Sequence, residues 1–320
     1  MVKPIAPDYG QQFLLPVALE DWVARDHPAR FLREFVDQLD LGALGFALPQ
    51  ATEGRPPYAP SLLLKIWLYG YHHRIRSLRK LEAACRDHLG LLWLTGLIQP
   101  DHNALWRFWR DNQNALRALF KQSVQLALDA GLVGLVLQAL DGTKIQAAAS
   151  SHSGWTKEHM QKLLAALDAE LDATEHQIQT EGPGDETHRY RLPETLADRQ
   201  ALRERVRAGL DQLAQDGRQH YHPHEPEARR MKCEGKTPFA YNAQAVVDER
   251  AGIVLAADVT VEETDGGQLV PMIQQAQSHT GAPTDATTTV ADGGYGSGAD
   301  LAAAAAQELA GHEVRTSLTL

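Results

Sequence analysis

The sequence is short of cysteine and aromatic residues and has no long apolar run. Its 320 residues include only two cysteines, Cys85 and Cys233, which lie far apart and form no C-x-x-C pair. That usage argues against a disulfide-stapled module or a thiolate metal site and fits a reducing compartment. Charge-free apolar stretches are brief: Ala130 to Leu140 runs 11 residues and contains Gln138. A membrane-spanning helix needs about 20, so no membrane partner is expected. The N-terminal Met-Val-Lys-Pro-Ile-Ala-Pro-Asp has no apolar signal core, so a cytoplasmic, nucleoid-associated protein is expected rather than an exported one. Hydrophobic residues make up 43% and charged residues 22%, with mean hydropathy −0.34. Those values exclude wholly disordered and collagenous chains. The length suits about two domains.

The net charge of −10 discourages a nucleic-acid reading until it is divided along the chain. Between Arg55 and Lys121 stand 11 basic residues against four acids, Glu82, Asp87, Asp101 and Asp111. That stretch is +7, and the remainder sums to −17. Such asymmetry points to a polyanion-binding module joined to an acidic partner domain.

Pattern divides the chain the same way. Residues 1–54 are punctuated by Pro and Gly, with one short helix expected around His27 to Gln38. Residues 55–131 read as a helical domain of three amphipathic helices. The first carries Leu62, Leu63, Ile66 and Trp67; the second is capped by Ser77; the third is long, capped by Asp101 and ended by Gly131. From residue 132 the character changes. Leu132 to Leu140 suits a buried central strand delivering Asp141 at its end. Two charged helices, 156–180 and 192–215, form an expected helical hairpin inserted at about 156–217. Phe239 to Val247 and Ile253 to Val261 read as a β-hairpin, followed by a helix from Gln268 to Ser278. Thr287 to Ala291 is a strand ending in Asp292, and Ala299 to Leu309 is helical in pattern.

Asp141 and Asp292 both follow apolar residues directly. An acid at the end of a buried strand loses solvation, and two that converge repel unless a cation lies between them. Hard oxygen ligands of this kind suit Mg²⁺. Asp141-Gly142 and Asp292-Gly293 are also good turn dipeptides. Spacing alone favours the turn reading over the metal-binding one.

A wider set of motifs adds to this. Ala139-Leu-Asp-Gly-Thr-Lys-Ile145, His224-Glu-Pro-Glu-Ala-Arg-Arg-Met-Lys232, Tyr241-Asn-Ala-Gln-Ala245 and Val290-Ala-Asp-Gly-Gly-Tyr295 follow in order. The chain thereby resembles insertion-sequence transposases of the DDE type. Tyr69-Gly-Tyr-His-His-Arg-Ile-Arg-Ser77 and Asp101-His-Asn-Ala-Leu-Trp-Arg-Phe-Trp-Arg-Asp-Asn112 are similar to that family's N-terminal domain.

The resemblance implies an α+β multidomain protein, with an all-α N-terminal domain and, over 132–320, a ribonuclease H-like mixed sheet interrupted by the helical hairpin. It implies a DNA transposase that binds element ends and uses two Mg²⁺ (or Mn²⁺) ions for cleavage and strand transfer, acting on double-stranded DNA as a homo-oligomer. Asp141 and Asp292 match the first and second aspartates, as catalytic and metal-binding residues. The family's glutamate lies on a helix after the fifth strand. Glu308 and Glu313 stand only 16 and 21 residues past Asp292, and Val314 to Leu320 reads as the fifth strand itself. The expectation is therefore a chain truncated at its C-terminus, lacking the third carboxylate and weak in strand transfer. Two alternatives follow: an inactive DNA-binding remnant that inhibits an intact transposase, and a metal-dependent nuclease without strand transfer.

For DNA contact the candidates are Arg74, Arg76, Arg79 and Lys80 at the start of the second helix, Arg107 and Arg110 on the third, and Arg229, Arg230 and Lys232 near the active site. His220, His222 and His224 alternate but read as a mobile linker, and Gly293 to Gly298 reads as a turn, since no Lys-Ser/Thr follows it. Trp67, Trp93, Trp106 and Trp109 read as helical core.

Overall fold

The computed structural model describes residues 18–48, 56–148, 153–181, 194–233, 235–281, 287–299, 302–303 and 314–317. The chain divides into two compact units, residues 1–123 and 124–320.

The first unit is helical: α1 (Leu19–Trp22), α2 (Pro28–Asp37), α3 (Pro60–His72), α4 (Leu78–Asp87), α5 (Leu89–Thr95), α6 (His102–Asp111) and the start of α7 (Gln113–Asp129). Side chains stop the helices fraying at their N-termini. His27 accepts from the Ala29 N–H, Ser77 from Lys80 and Asp101 from Ala104. Leu64, Ile66, Leu81, Cys85, Leu91 and Leu105 are fully buried in one core. Val23, Ala29, Val36 and Phe46, from the segment before residue 55, pack into that same core.

Three expectations are corrected here. The long helix from Asp101 is two helices, because Asn112 is buried and spends its amide on backbone. Its Nδ2 donates to the Phe108 carbonyl and its Oδ1 accepts from the Ala47 N–H, both at 2.8 Å. An amide bonded to the carbonyl four residues back competes with the helical ladder. Helix α5 went unread because Leu-Gly-Leu-Leu-Trp-Leu-Thr has no polar face to reveal a period. Of the four tryptophans, Trp93 is buried, but Trp106 and Trp109 are 45% and 38% exposed and so lie on the surface rather than in the core.

The second unit is a mixed sheet with helices, which makes the chain α+β. Its elements are β1 (Leu137–Gln146), β2 (Trp155–Thr156), α8 (Lys157–Glu181), α9 (Glu194–Asp216), β3 (His220–Tyr221), β4 (Arg229–Arg230), β5 (Phe239–Asp248), β6 (Val254–Thr260), α10 (Leu269–Thr280), β7 (Thr288–Asp292) and β8 (Val314–Ser317). The order across the sheet is β4-β5-β1-β7-β8, with β6 also on β5. The β1–β5 and β5–β6 pairs are antiparallel, while β1–β7 and β7–β8 are parallel. Helices α8 and α9 form the hairpin, packed around Met160, Val206 and Leu213 and tied by the Arg203–Asp168 ion pair. A short ribbon, Trp155 opposite Tyr221, closes its base.

The histidine segment is ordered structure rather than a linker: His222 is fully buried, edge-on to Phe239 with ring centroids 5.2 Å apart. The Ala299 to Leu309 helix lies almost wholly outside the described residues.

Where β5 turns toward β6, Asp248 is completely buried and its carboxylate accepts from the Gly134, Leu135 and Arg250 N–H groups at 2.9–3.0 Å. Leu135 is thereby held at φ 56°, a conformation a leucine rarely adopts. Asp248→Ala strands three donors. It is expected to lower unfolding free energy by about 3 kcal/mol or more, against a smaller loss for Asp248→Asn. Urea unfolding of the two variants beside the parent measures both.

Candidate active site

Strand β1 does not end at Asp141 as expected. It pairs with β5 over its whole length, from Gln138 opposite Asp248 to Gln146 opposite Ala240, so Asp141 is mid-strand and Asp141-Gly142 is no turn. On its other edge the pairing is shorter. Parallel rungs to β7 run only from Leu137 opposite Thr288 to Leu140 opposite Ala291. Asp141 and Asp292 each stand one residue past that last rung.

Alternation then decides the face. Gln138, Leu140, Thr289 and Ala291 are buried on one side of the sheet, and the intervening side chains point to the other. Asp141 and Asp292 therefore project from the same face, one step beyond strands about 4.8 Å apart. Both are exposed. One oxygen of each is already used: Asp141 Oδ1 accepts from the Gly142 N–H and Asp292 Oδ1 from the Gly294 N–H, both at 2.8 Å. Among the described residues neither has a cation against it. Asp292 also caps the 3-10 turn Gly293–Tyr295, so the turn expected over the glycines is present.

The opposite face beneath them holds a polar cluster that the motif reading did not single out. Tyr295, fully buried, donates its hydroxyl to Gln244 Oε1. Gln244 Nε2 donates to Asn242 Oδ1 at 2.9 Å and to Asp265 Oδ1 at 2.8 Å. Asn242 Nδ2 donates to the same Asp265 oxygen at 2.8 Å, and Lys144 Nζ reaches it at 3.1 Å. Burial pushes the Asp265 carboxyl up, but the donors from Asn242, Gln244 and Lys144 outweigh it and hold it below the usual carboxylate range. Burial, and then the negative charges of Asp265, Asp141 and Asp292, raise the Tyr295 hydroxyl far above its ordinary value, so it stays a donor. All three carboxylates act on that one hydroxyl. A sequence signal existed for part of this: Asn242 and Gln244 alternate at buried positions of β5 between Ala240 and Val246. For Asp265, in a loop, there was none.

Among the described residues no group of three or more His, Cys, Asp or Glu side chains is arranged to hold a metal. The donors available to a hard cation include the second oxygens of Asp141 and Asp292, and Asp265 Oδ2 lies close to Asp292, since a Cβ at Gly294 would stand 3.5 Å from the one and 3.0 Å from Asp292 Oδ1. Carboxylates with one oxygen anchored by backbone and the other open to water fit Mg²⁺ or Mn²⁺, which keep waters in their shell. Glu308 and Glu313 lie outside the described residues.

The basic candidates fall into three groups. Arg74, Arg76 and Lys80 line a groove of about 570 Å³ with Ser77 and His88, and Arg79 is exposed nearby on α4. Arg107 and Arg110 are exposed on α6, Arg110 paired to Asp111 at 2.6 Å and lying 4.7 Å over the Trp106 ring. Arg229 and Arg230 are half-buried on β4, with Arg229 paired to Glu262 at 3.7 Å and Arg230 over Phe239. Arg229 lies opposite Ala240, itself opposite Gln146. That is five residues, or roughly 17 Å, along the strand from Asp141. The structure does not bring these arginines to the aspartates, although the sequence reading put them nearby; Lys232 is exposed just beyond them.

Gly142 faces the polar cluster. A Cβ there would stand 2.6 Å from Gln244 Nε2, 2.8 Å from Asp265 Oδ1 and 2.9 Å from the Tyr295 hydroxyl, whereas one at Gly293 would meet nothing within 4 Å. Gly142→Ala is expected to cost about 1–3 kcal/mol by forcing the cluster apart, and Gly293→Ala to be close to neutral. Urea midpoints of the two variants read the contrast.

Residues 17–111 match a family model described as a transposase domain (DUF772), and residues 134–314, more than half of the chain, match one described as a transposase DDE domain. No curated protein and no solved structure matches the chain.

Proposed function

The chain belongs to the DDE transposase family of insertion-sequence enzymes, and from that premise we propose that it binds element-end DNA through its helical unit and cuts it at Asp141 and Asp292. The observation that carries the reading is the placement of those two acids on one sheet face, where adjacent parallel strands part. The sheet order supports a ribonuclease H-like core. With the hairpin and its short strands set aside, β1, β5 and β6 are antiparallel neighbours, and β7 and β8 continue in parallel on the other side. Asp141 then lies on the first strand of that core and Asp292 at the end of the fourth.

In this reading Asp141 and Asp292 hold divalent metal through their open oxygens, while the Gly142 and Gly294 N–H groups keep each carboxylate aimed. When bound, the ions activate the oxygen that attacks phosphorus and stabilise the one that leaves. The exposed Arg74, Arg76, Arg79 and Lys80 supply phosphate contacts, with Arg107 and Arg110 beside them on α6. Joining two element ends calls for a pair of such chains, so a homo-oligomer is the working form. No helix among the described residues is long and apolar enough to cross a membrane.

Cleavage of labelled element-end DNA by the full chain should require Mg²⁺ or Mn²⁺ and fall at least about 10²-fold in Asp141→Ala and in Asp292→Ala, since loss of a positioning ligand costs on that order. Metal-dependent cleavage unchanged by either substitution would overturn the site. DNA bound but never cut under any metal condition would reduce the chain to a non-catalytic binder.

Affinity for that DNA should fall steeply with salt. Replacing Arg74, Arg76, Arg79 and Lys80 by alanine should flatten the log–log salt slope by up to about 3.6, at roughly 0.9 for each phosphate neutralised. A titration of both proteins across salt concentrations decides it, and an unaltered slope would assign DNA contact elsewhere.

A further inference from the structure

We propose that Gln244 and Tyr295 are positioning residues for the aspartate pair, acting as a tie across the back of the sheet that sets how far Asp292 stands from Asp141. The inference rests on the metal-binding reading of those two acids and deepens it. Past Leu140 opposite Ala291, no backbone rung joins β1 to β7. On its outer edge Asp292 stays in the sheet, opposite Ser317 of β8, but on the β1 edge no backbone pairing sets its distance from Asp141. The link on that inner side is Tyr295, three residues on, whose hydroxyl donates to Gln244 on β5. Strand β5 is not a neighbour of β7, since β1 lies between them. The tyrosine crosses β1 at Gly142, which is opposite Gln244 in the register and whose missing side chain leaves room for the hydroxyl. Gly142 and Gln244 thus face each other across β1 and β5, and Tyr295 reaches them from the 3-10 turn that follows β7.

The chemistry of the tie argues for positioning rather than filling. An apolar pair would fill the space without placing a buried amide and hydroxyl at risk of going unpaired. Here the Gln244 amide is fixed at both ends: its oxygen receives the tyrosine, and its nitrogen is held by Asn242 and Asp265. Asp265 is itself held by Asn242 and by Lys144 of β1. A hydrogen bond directed in this way defines a length, which apolar contact does not.

The test measures Mn²⁺ affinity of the full chain without DNA, from the electron paramagnetic resonance signal of free Mn²⁺. Tyr295→Phe, which removes only the hydroxyl, and Gln244→Met should each weaken Mn²⁺ binding about tenfold, the lower end of what losing an outer partner of a metal ligand costs. The double variant should be little worse than either, because both cut the same tie. Leu171→Ala, a cavity in the buried face of α8, is the stability control. It should lower the melting temperature and leave Mn²⁺ affinity unchanged. Tyr295→Phe and Gln244→Met binding Mn²⁺ within twofold of the parent, while Asp141→Ala loses it, would overturn the tie and leave the metal reading intact. Asp141→Ala binding Mn²⁺ as well as the parent would overturn the metal reading, and the tie with it.

Discussion

Strand β1 is paired on both edges as far as Leu140 and on one edge beyond it. The site depends on that asymmetry. Full pairing on the β5 side keeps β1 straight through Asp141 and Gly142, so their side chains keep strict alternation and face opposite ways. Lost pairing on the β7 side leaves that edge of β1 free just where Asp292 follows, while Asp292 stays paired to Ser317 of β8. A strand that ended at Asp141 would leave that acid on a loop with no defined face.

Much of this was legible in sequence, for identifiable reasons. The helical hairpin, the β-hairpin and α10 carry strong periodicity, and their spans match what alternation and spacing predict. Asp141 and Asp292 are marked by the family motifs around them, since an acid directly after an apolar strand equally suits a turn. The extent of β1 did not, because Gly-Thr-Lys-Ile-Gln after Asp141 has no apolar face, and its extended form comes from pairing with β5. The break at Asn112 was hidden likewise, since helical period persists through it and only the long-range bond to Ala47 reveals that the amide is used elsewhere. Asp265 lay beyond any local reading: a loop acid acquires meaning only when the fold brings Asn242, Gln244 and Lys144 to it.

The two faces of the sheet divide the electrostatic labour. Behind β1, Asp265 is matched by Lys144 and by two amide donors, so its charge is answered within the protein. In front, Asp141 and Asp292 have only one backbone donor each. The less answered charge is thus that of the two exposed carboxylates, which water reaches.

The same accounting bears on how DNA and an acidic catalytic unit meet. Residues 55–121 carry +7 and the rest of the chain −17, so the part that bears the two aspartates repels phosphate over distances beyond contact. On the proposed reading the metal has two consequences. It completes the chemistry, and it also reverses the sign of the local field at the point where a phosphodiester must approach, from a pair of anions to net positive charge if two divalent ions bind. On the same reading, affinity for DNA is assigned to the helical unit, where Arg74, Arg76 and Lys80 line an open groove. Admission to the carboxylate face depends on the cation. This ordering follows from charge alone. It makes the geometry of the two aspartates, and of whatever fixes their spacing, the limiting element of the site.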